Sequence, residues 1–180
     1  MKRKLERFDG IKIANVVATV TLTAPLNLSL IHERLPQTEF PGKCPWLKLR
    51  LQPDNTYTAF YKSGKFLITS KNPEKIDQIA QRVLEILHEI GINVDIIETE
   101  VHNIVVKTKV SLNKSLESII VNLDPKKASF EPEQFPALIY KDWGVSFLLF
   151  SNGSCIITGL KEVKEAKPVF ERFKVLIGAV

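Results

Sequence analysis

The chain has 180 residues, of which 44% are hydrophobic, and its formal net charge is +5. That length and composition provide a core for one domain or for two small ones. The sequence excludes a membrane-spanning helix, because no apolar run approaches the roughly 20 residues that such a helix needs. The first residues also lack the apolar segment of a signal peptide, so we expect the protein to stay where it is made.

The excess positive charge lies in the first half of the chain. Residues 1–90 hold 14 Lys and Arg against 9 Asp and Glu, whereas residues 91–180 hold 11 of each. A basic half suggests a polyanionic partner, although a merely solvated basic surface explains the same counts.

Residue types that carry catalysis are sparse. The three histidines, His32, His88 and His102, have no nucleophile, paired carboxylates or glycine-rich phosphate loop beside them. The two cysteines, Cys44 and Cys155, are far apart and lack metal-ligand spacing, which favours a reducing compartment. We therefore expect no enzyme activity, no cofactor and no metal.

The chain contains an internal repeat. Three landmarks recur in the same order 88 to 91 residues later, and such self-similarity predicts a pair of structural copies related by pseudo-two-fold symmetry. Residues 15–18 recur as 103–106, residues 44–47 as 135–138, and residues 63–69 as 152–158.

In chain order, each copy predicts a strand, a short helix, further strands and a closing helix. In the first copy Asn72 is a good N-cap, Pro73 suits the first helical position, and Gly91 fits just past the helix end. In the second copy Pro168 should kink or start the closing helix. The predicted strands are 11–22, 47–52, 56–61, 65–70, 101–112, 138–140, 145–150 and 155–160, and the predicted helices are 28–35, 116–123, 163–177 and the segment between Asn72 and Gly91.

No Gly/Ser-rich or Pro-rich linker separates the copies, so we expect an α+β fold with one continuous antiparallel sheet and helices on one face. The predicted divisions are an N-terminal extension (1–10), a first repeat (11–91) and a second repeat (92–180).

Both faces of the predicted strands are poor in charge, which is unusual for a sheet covered on one side only. An uncovered apolar face of this kind marks an interaction surface, unless association of two copies or the other half of the chain buries it. Asn15 and Asn103 hold equivalent positions on this face. Each either satisfies local backbone or suits the minor groove of A·T-rich DNA, whose floor offers only acceptors.

Several segments identify a family. The opening of residues 15–20, the run of residues 130–140, and the segments 150–153 and 157–161 resemble the TATA-box-binding protein family, its archaeal members in particular. The resemblance covers the chain from about Gly10, and it is stronger in the second copy than in the first. It implies a saddle, a curved ten-stranded sheet with four helices on its convex side and DNA under its concave side.

For function, the resemblance implies a general transcription initiation factor that binds A·T-rich promoter DNA and bends it by aromatic wedging, the bending mode described for this family. It also implies recruitment of transcription factor B and, indirectly, RNA polymerase. The location would be cytoplasmic and nucleoid-associated in an archaeon, or nuclear in a eukaryote. A homodimer off DNA would bury the same face.

Carried over position by position, the resemblance assigns roles to individual residues. Amides lie on the groove floor, an apolar and hydroxyl surface packs on sugars and bases, and Phe135 and Phe150 form a wedge pair. Cations face the phosphates, and one loop meets transcription factor B. The implied DNA-binding residues are Asn15, Val17, Arg50, Ala59, Tyr61, Lys65, Leu67, Thr69, Asn103, Val105, Phe135, Pro136, Lys141, Leu148, Phe150, Ile156 and Thr158; the implied partner-binding residues are Glu131, Glu133 and Gln134.

The first copy departs from the family pattern at its loop. Cys44 stands where the second copy has Phe135, the loop is one residue shorter, and Tyr61 replaces the second wedge phenylalanine. A phenol hydroxyl costs free energy when it is buried between bases without a partner. Trp46 either replaces the missing ring or, as the pattern favours, packs under the loop. We therefore expect weaker wedging at this end, in a general factor or in a divergent paralogue.

The rival interpretation is a protein-interaction module of the same fold that has weak or altered DNA binding. The paired Asn15 and Asn103, with Val17 and Val105 beside them, argue against it, because a chain that no longer bound a groove would not need an uncharged face there unless another protein covered it.

Overall fold

The structure, a computed structural model, describes residues 10–179. Residues 1–9 of the predicted N-terminal extension lie outside this range. Two compact units are present: one comprises residues 15–102, and the other comprises residues 103–179 together with residues 10–14. Within the described residues, no helix is long and apolar enough to span a membrane.

The first repeat contains four strands and two α-helices. They are β1 (Lys12–Leu22), α1 (Leu28–Arg34), β2 (Trp46–Leu51), β3 (Thr56–Tyr61), β4 (Lys65–Ser70) and α2 (Ile76–Glu89).

The second repeat contains five strands and two α-helices. They are β5 (Ile96–Lys109), α3 (Leu116–Ile120), β6 (Ala128–Ser129), β7 (Ala137–Asp142), β8 (Val145–Phe150), β9 (Ser154–Leu160) and α4 (Ala166–Ile177). Neighbouring strands follow the order β2-β3-β4-β1 in the first repeat and β5-β9-β8-β7-β6 in the second.

The described residues thus contain nine strands where ten were expected. In the second repeat, Ala128 and Ser129 pair with Tyr140 and Ile139 to form β6. The corresponding segment of the first repeat keeps a single bridge, between Glu39 and Lys48. The preceding residue, Thr38, donates its backbone N–H and its hydroxyl to the Leu35 carbonyl at the end of α1.

The strand β5 begins at Ile96, five residues earlier than the sequence pattern predicted, and it ends at Lys109 instead of residue 112. Its early start follows from the β-branched residues between 96 and 101, which favour extended backbone. The helix α3 is also shorter than predicted. After Ile120 the chain tightens, since the N–H groups of Asn122 and Leu123 bond carbonyls only three residues back.

Both closing helices begin with a 3₁₀ turn, at Pro73–Lys75 and Val163–Glu165. Asn72 caps the first turn, its Oδ1 accepting from the Glu74 N–H at 3.0 Å. Pro168 lies in the first turn of α4, where no intrahelical bond requires its missing N–H. Gly91 follows α2 with a positive φ of 77°, as its predicted position past the helix end requires.

Tight turns at equivalent positions connect β3 to β4 and β8 to β9. Gly64 has a φ of 82°, and a Cβ there would lie 2.3 Å from the Ala24 oxygen. Gly153 has a φ of 78°, and a Cβ there would lie 2.1 Å from the Val110 oxygen. The Leu22 N–H donates to the Gly64 carbonyl at 2.8 Å, and the Val110 N–H donates to the Gly153 carbonyl at 2.9 Å. Only glycine therefore fits either turn.

The cores of the two repeats differ in chemistry. In the second repeat the rings of Phe147 and Phe173 stack at 4.2 Å between centroids, and Tyr140 packs against both. In the first repeat the helix position equivalent to Phe173 is Val83, which is fully buried. The buried aromatic contact of the first repeat joins Phe60 and Phe66 on adjacent strands, with centroids 5.8 Å apart, so only in the second repeat does the helix contribute a ring to the stack.

Candidate nucleic-acid interface

The strands of the first repeat alternate between buried and partly exposed positions. In β1, Val16, Ala18, Val20 and Leu22 are buried, whereas the intervening residues are half-buried. We call the side with the half-buried residues the open face of the repeat. Its members on β1, β3 and β4 include Asn15, Val17, Thr19, Tyr57, Tyr61, Lys65, Leu67 and Thr69.

The second repeat has an equivalent open face. Ile104, Val106, Phe147, Leu149, Cys155 and Ile157 point into the core. The alternate positions are half-buried or exposed, and they include Asn103, Val105, Lys107, Lys109, Leu148, Phe150, Ile156 and Thr158. Most of each face is therefore aliphatic, aromatic or hydroxyl surface.

Every charged residue at the open-face positions of β1–β5 and β7–β9 is basic. These residues are Lys48, Arg50, Lys65, Lys107, Lys109 and Lys141. Lys48 is paired with the carboxylate of Glu39 at the strand edge. An uncharged surface bordered by cations suits a polyanion whose backbone is charged and whose groove is not.

Asn103 holds a fixed orientation on the open face of the second repeat. The Gly159 N–H donates to Asn103 Oδ1 at 2.7 Å, and the Thr158 hydroxyl donates to the same oxygen at 3.3 Å. A register shift in the pairing of β5 with β9, between Ile104 and Val106, accompanies this contact. Because a backbone N–H can only donate, the Asn103 atom that faces it is the oxygen, and the NH₂ group remains as a donor.

Asn15 is held differently. Within residues 10–179 its side chain makes no hydrogen bond, and it lines a polar cleft of about 360 Å³ beside Thr69 and Ser70. The two asparagines occupy equivalent strand positions, but only Asn103 is fastened to backbone. Hydrogen bonding to local backbone therefore accounts for the orientation of the Asn103 oxygen, whereas no such bond accounts for the presence of Asn15.

Arg50 borders the same cleft. Its guanidinium donates from Nη1 to the Asn55 carbonyl at 3.3 Å and lies 5.2 Å from the centroid of the Tyr57 ring. Both contacts restrain a long side chain that otherwise loses much rotamer freedom on binding an anion. The cleft also carries Lys71 and Lys75, of which Lys75 is paired with Asp54 at 2.8 Å.

The loop before β7, residues 130–136, is the second-repeat loop. The N–H groups of Gln134 and Phe135 both donate to the Glu131 carbonyl at 2.9 Å, which closes a turn and presents the Phe135 ring. That ring is 40% exposed and meets Phe150 edge to face at 6.2 Å. The side chains of Glu131, Glu133 and Gln134 are exposed on the same loop.

The corresponding loop before β2, residues 40–45, is the first-repeat loop. It closes with a shorter turn, in which the Cys44 N–H donates to the Pro41 carbonyl at 3.1 Å, and Cys44 is half-buried. The aromatic contact here lies on the strands, where Trp46 and Tyr61 are cross-strand partners with ring centroids 6.3 Å apart. Burial raises the pKa of the Tyr61 phenol, and the nearby Tyr57 raises it further.

Most residues that the resemblance assigned to DNA lie on the open faces or on the second-repeat loop. Ala59 does not contribute surface, because it is 1% exposed and its cross-strand partners are the longer Lys48 and Leu67. We therefore remove Ala59 from the contact set. Pro136 and Lys141 are exposed.

Three open-face cations were missed from the sequence. Lys48, Lys107 and Lys109 could have been found from strand parity, since they alternate with buried neighbours. The role of Trp46 depends on its register with Tyr61, which no sequence pattern reveals.

The histidines have structural contacts. His32 Nδ1 shares a hydrogen bond with the Thr38 hydroxyl at 3.0 Å, and His88 Nε2 donates to the Val94 carbonyl at 2.7 Å. Within residues 10–179, no three His, Cys, Asp or Glu side chains converge to hold a metal ion.

Comparison with protein families identifies the chain. The model of the family described as transcription factor TFIID, or TATA-binding protein (TBP), matches residues 10–90 and 98–178. This chain belongs to the TATA-binding protein family. Its membership confirms the fold class expected from the sequence: two repeats, one open antiparallel sheet and four helices, with nine strands instead of ten.

Individual relatives agree with this assignment. The TATA-box-binding protein of Archaeoglobus fulgidus is 33% identical over 167 residues, which cover 90% of this chain and 91% of the relative. That of Sulfurisphaera tokodaii is 34% identical over 178 residues, covering 90% and 85%. The solved structure of Methanococcus jannaschii TBP superposes with a TM-score of 0.79 at 28% identity, covering 94% of this chain and 98% of that chain.

Proposed function

We propose that this chain is a general transcription initiation factor that binds A·T-rich promoter DNA in the minor groove through the open faces of its two repeats. The observation that carries the proposal is the orientation of the Asn103 amide. Its oxygen is engaged by Gly159 and Thr158, so its NH₂ group is the part available to a ligand. The A·T minor groove offers only acceptors on its floor, whereas a G·C pair adds a donor.

The remaining open face supports the same partner. Val105, Leu148 and Ile156 provide apolar contact for sugars and base edges, and the hydroxyl of Thr158 lies beside them. Lysines and Arg50 at the borders supply attraction to phosphates that does not depend on sequence and that weakens as salt rises.

We further propose that the protein bends its DNA. Phe135 is held out by the turn of the second-repeat loop and backed by Phe150. An aromatic ring inserted at a base step offsets part of the cost of unstacking, and the bend brings more of the duplex onto the protein.

Recruitment of transcription factor B, and through it RNA polymerase, is the third part of the proposal. The exposed side chains of Glu131, Glu133 and Gln134 form its docking surface on the second-repeat loop. The hydrogen bonds of that loop use the Glu131 carbonyl and no carboxylate, so charge can be changed there without removing the turn that holds Phe135.

The DNA proposal is tested by titrating an end-labelled duplex with an eight-base-pair A·T-rich site at two salt concentrations, against a G·C-rich duplex. We expect tight, salt-sensitive and bent binding to the A·T-rich site alone. Asn103→Asp is the sharpest variant, because its carboxylate still accepts from Gly159 while the NH₂ donor is lost. Since each good base contact is worth about 1–3 kcal/mol, binding should fall about tenfold or more.

No binding by the wild-type chain at either salt concentration, even with transcription factor B added, would favour the interaction-module interpretation. For recruitment, Glu133→Lys should abolish the supershift by transcription factor B without weakening DNA binding, since an added lysine can only favour phosphate contact. Glu33→Lys, an exposed change in the last turn of α1, is the matched control. Equal loss in both variants would contradict the assignment of the loop.

A further inference from the structure

Each repeat carries one aromatic pair at the end of its open face, and the two pairs are built at different backbone positions. In the second repeat the loop residue Phe135 meets Phe150 at 6.2 Å. In the first repeat the strand residue Trp46 meets Tyr61 at 6.3 Å. Tyr61 and Phe150 are the last residues of the equivalent strands β3 and β8. Only the second ring of each pair, Trp46 or Phe135, stands at a different backbone position.

Large and small residues are exchanged between the loop and the strand. Phe135 and Ala137 of the second repeat correspond to Cys44 and Trp46 of the first. Ala137 pairs with Phe150 and is fully buried beneath the aromatic pair, whereas Trp46 pairs with Tyr61 and is half-buried. The ring that the loop loses in the first repeat is thus supplied two residues later.

The loop geometries explain why the ring moved. The second-repeat loop closes through a five-residue turn from Glu131 to Phe135, and this turn ends on the ring-bearing residue. The first-repeat loop is one residue shorter and closes through a four-residue turn from Pro41 to Cys44. Trp46 instead takes its direction from β2, where it alternates with the buried Leu47 and lies on the open face with Lys48.

We propose that Trp46, together with Tyr61, is the aromatic wedge of the first repeat and inserts at a base step of the bound duplex. The proposal rests on the proposed DNA-binding function, and it replaces the expectation that Trp46 only packs under the loop. Cys44, although it occupies the position equivalent to Phe135, takes no part.

The indole N–H supports this assignment. Trp46 Nε1 is buried and has no hydrogen-bond partner within the described residues. Buried donors without partners are rare, and each calls for an explanation. Minor-groove DNA presents acceptors on the base edges of A·T pairs. Because this N–H is buried, it reaches such an acceptor only when the indole turns out of its site, and a wedge that turns toward the duplex would pair the donor.

The first test leaves Trp46 unchanged. The chain has two tryptophans, and the Trp143→Phe variant keeps only Trp46. Trp143 lies at a turn, where its ring packs on Tyr140 and Phe147. Titration with the A·T-rich duplex should quench and shift the Trp46 emission, because stacking on a base changes the surroundings of the indole. The G·C-rich duplex should produce no such change.

The second test compares variants by affinity and by bend angle, measured from energy transfer between the duplex ends. We expect Trp46→Ala to weaken binding about tenfold or more and to reduce the bend, as the loss of one base–aromatic stacking contact does. Trp46→Phe should restore most of the bend, and Cys44→Ala should behave as the wild type. Thermal unfolding of each variant confirms that the loss is not one of folding.

The outcomes separate this inference from the function on which it rests. If Phe135→Ala is impaired while Trp46→Ala bends DNA normally and the Trp46 emission is unchanged on binding, the wedge assignment is wrong and DNA binding stands. If Cys44→Ala is as impaired as Trp46→Ala, the loop and not the indole makes the contact, which also overturns the assignment. If the wild type binds neither duplex, the proposed function fails and the wedge fails with it.

Discussion

The two repeats share one arrangement of strands and helices but reach it with different side chains. The second repeat stacks Phe147 on Phe173 in its core and presents Phe135 from a loop. The first repeat has Val83 at the equivalent helix position and carries its outer ring, Trp46, on a strand. The comparison teaches that the arrangement of strands and helices is kept between the copies, whereas the positions that carry the aromatic rings are not.

The largest difference should appear in core stability. Phe173→Ala removes a fully buried, stacked ring and should lower the free energy of unfolding by about 3–5 kcal/mol. Val83→Ala removes two buried methyl groups and should cost about 1.5 kcal/mol. Urea unfolding followed by circular dichroism measures both values. Equal losses would show that the stacked ring of Phe173 contributes no more than the aliphatic side chain of Val83 at the equivalent helix position.

Next in size is the difference between single wedge residues. Phe135→Ala should weaken binding to the A·T-rich duplex and reduce its bend more than Tyr61→Ala does. Aromatic stacking on a base is worth about 1–3 kcal/mol, and in the first repeat Trp46 remains when Tyr61 is lost. Affinity and energy-transfer bending assays at one salt concentration measure the two variants side by side. Equal losses would count against an asymmetric wedge.

The two asparagines should differ in what they do for the fold. Asn103→Ala leaves the part-buried Gly159 N–H without its acceptor and should cost about 1–3 kcal/mol of stability. Asn15→Ala breaks no such bond and should change stability by less than about 0.5 kcal/mol. Both should weaken DNA binding. A destabilised Asn15→Ala would mean that this side chain, too, holds local backbone.

The smallest effect concerns the one cysteine in each repeat. Burial raises the pKa of the Cys155 thiol to about 12, whereas Cys44 is half-buried. A thiol reagent at pH 8 should label Cys44 promptly and Cys155 only after unfolding. Because the Cys155 pKa is higher in the folded state, its contribution to stability is complete below the unfolded value of 9.0 and is lost as pH rises toward 12. The Cys155→Ala variant should show a weaker decline of stability over that interval.

The pattern of the chain was sufficient to predict both copies, four helices and nearly all strand positions. Hydrophobic alternation and periodicity are local and survive without tertiary information, which is why β3, β4 and β8 have the predicted bounds. Gly64 and Gly153 lie in the recurring segments 63–69 and 152–158, and in the structure both form tight turns. Together with the quoted segments, this was enough to name the family that the comparisons confirm.

Other features were decided by contacts between segments that are distant in sequence. The segment of the first repeat that corresponds to β6 keeps a single bridge, between Glu39 and Lys48. Ala59 is covered by longer neighbours on adjacent strands, and the orientation of the Asn103 amide follows from the Gly159 N–H. Trp46 meets Tyr61 through cross-strand register. Sequence alone determined which elements form, because those preferences are local; the tertiary structure decided which side chains reach the open face, because that depends on register and on the size of neighbours.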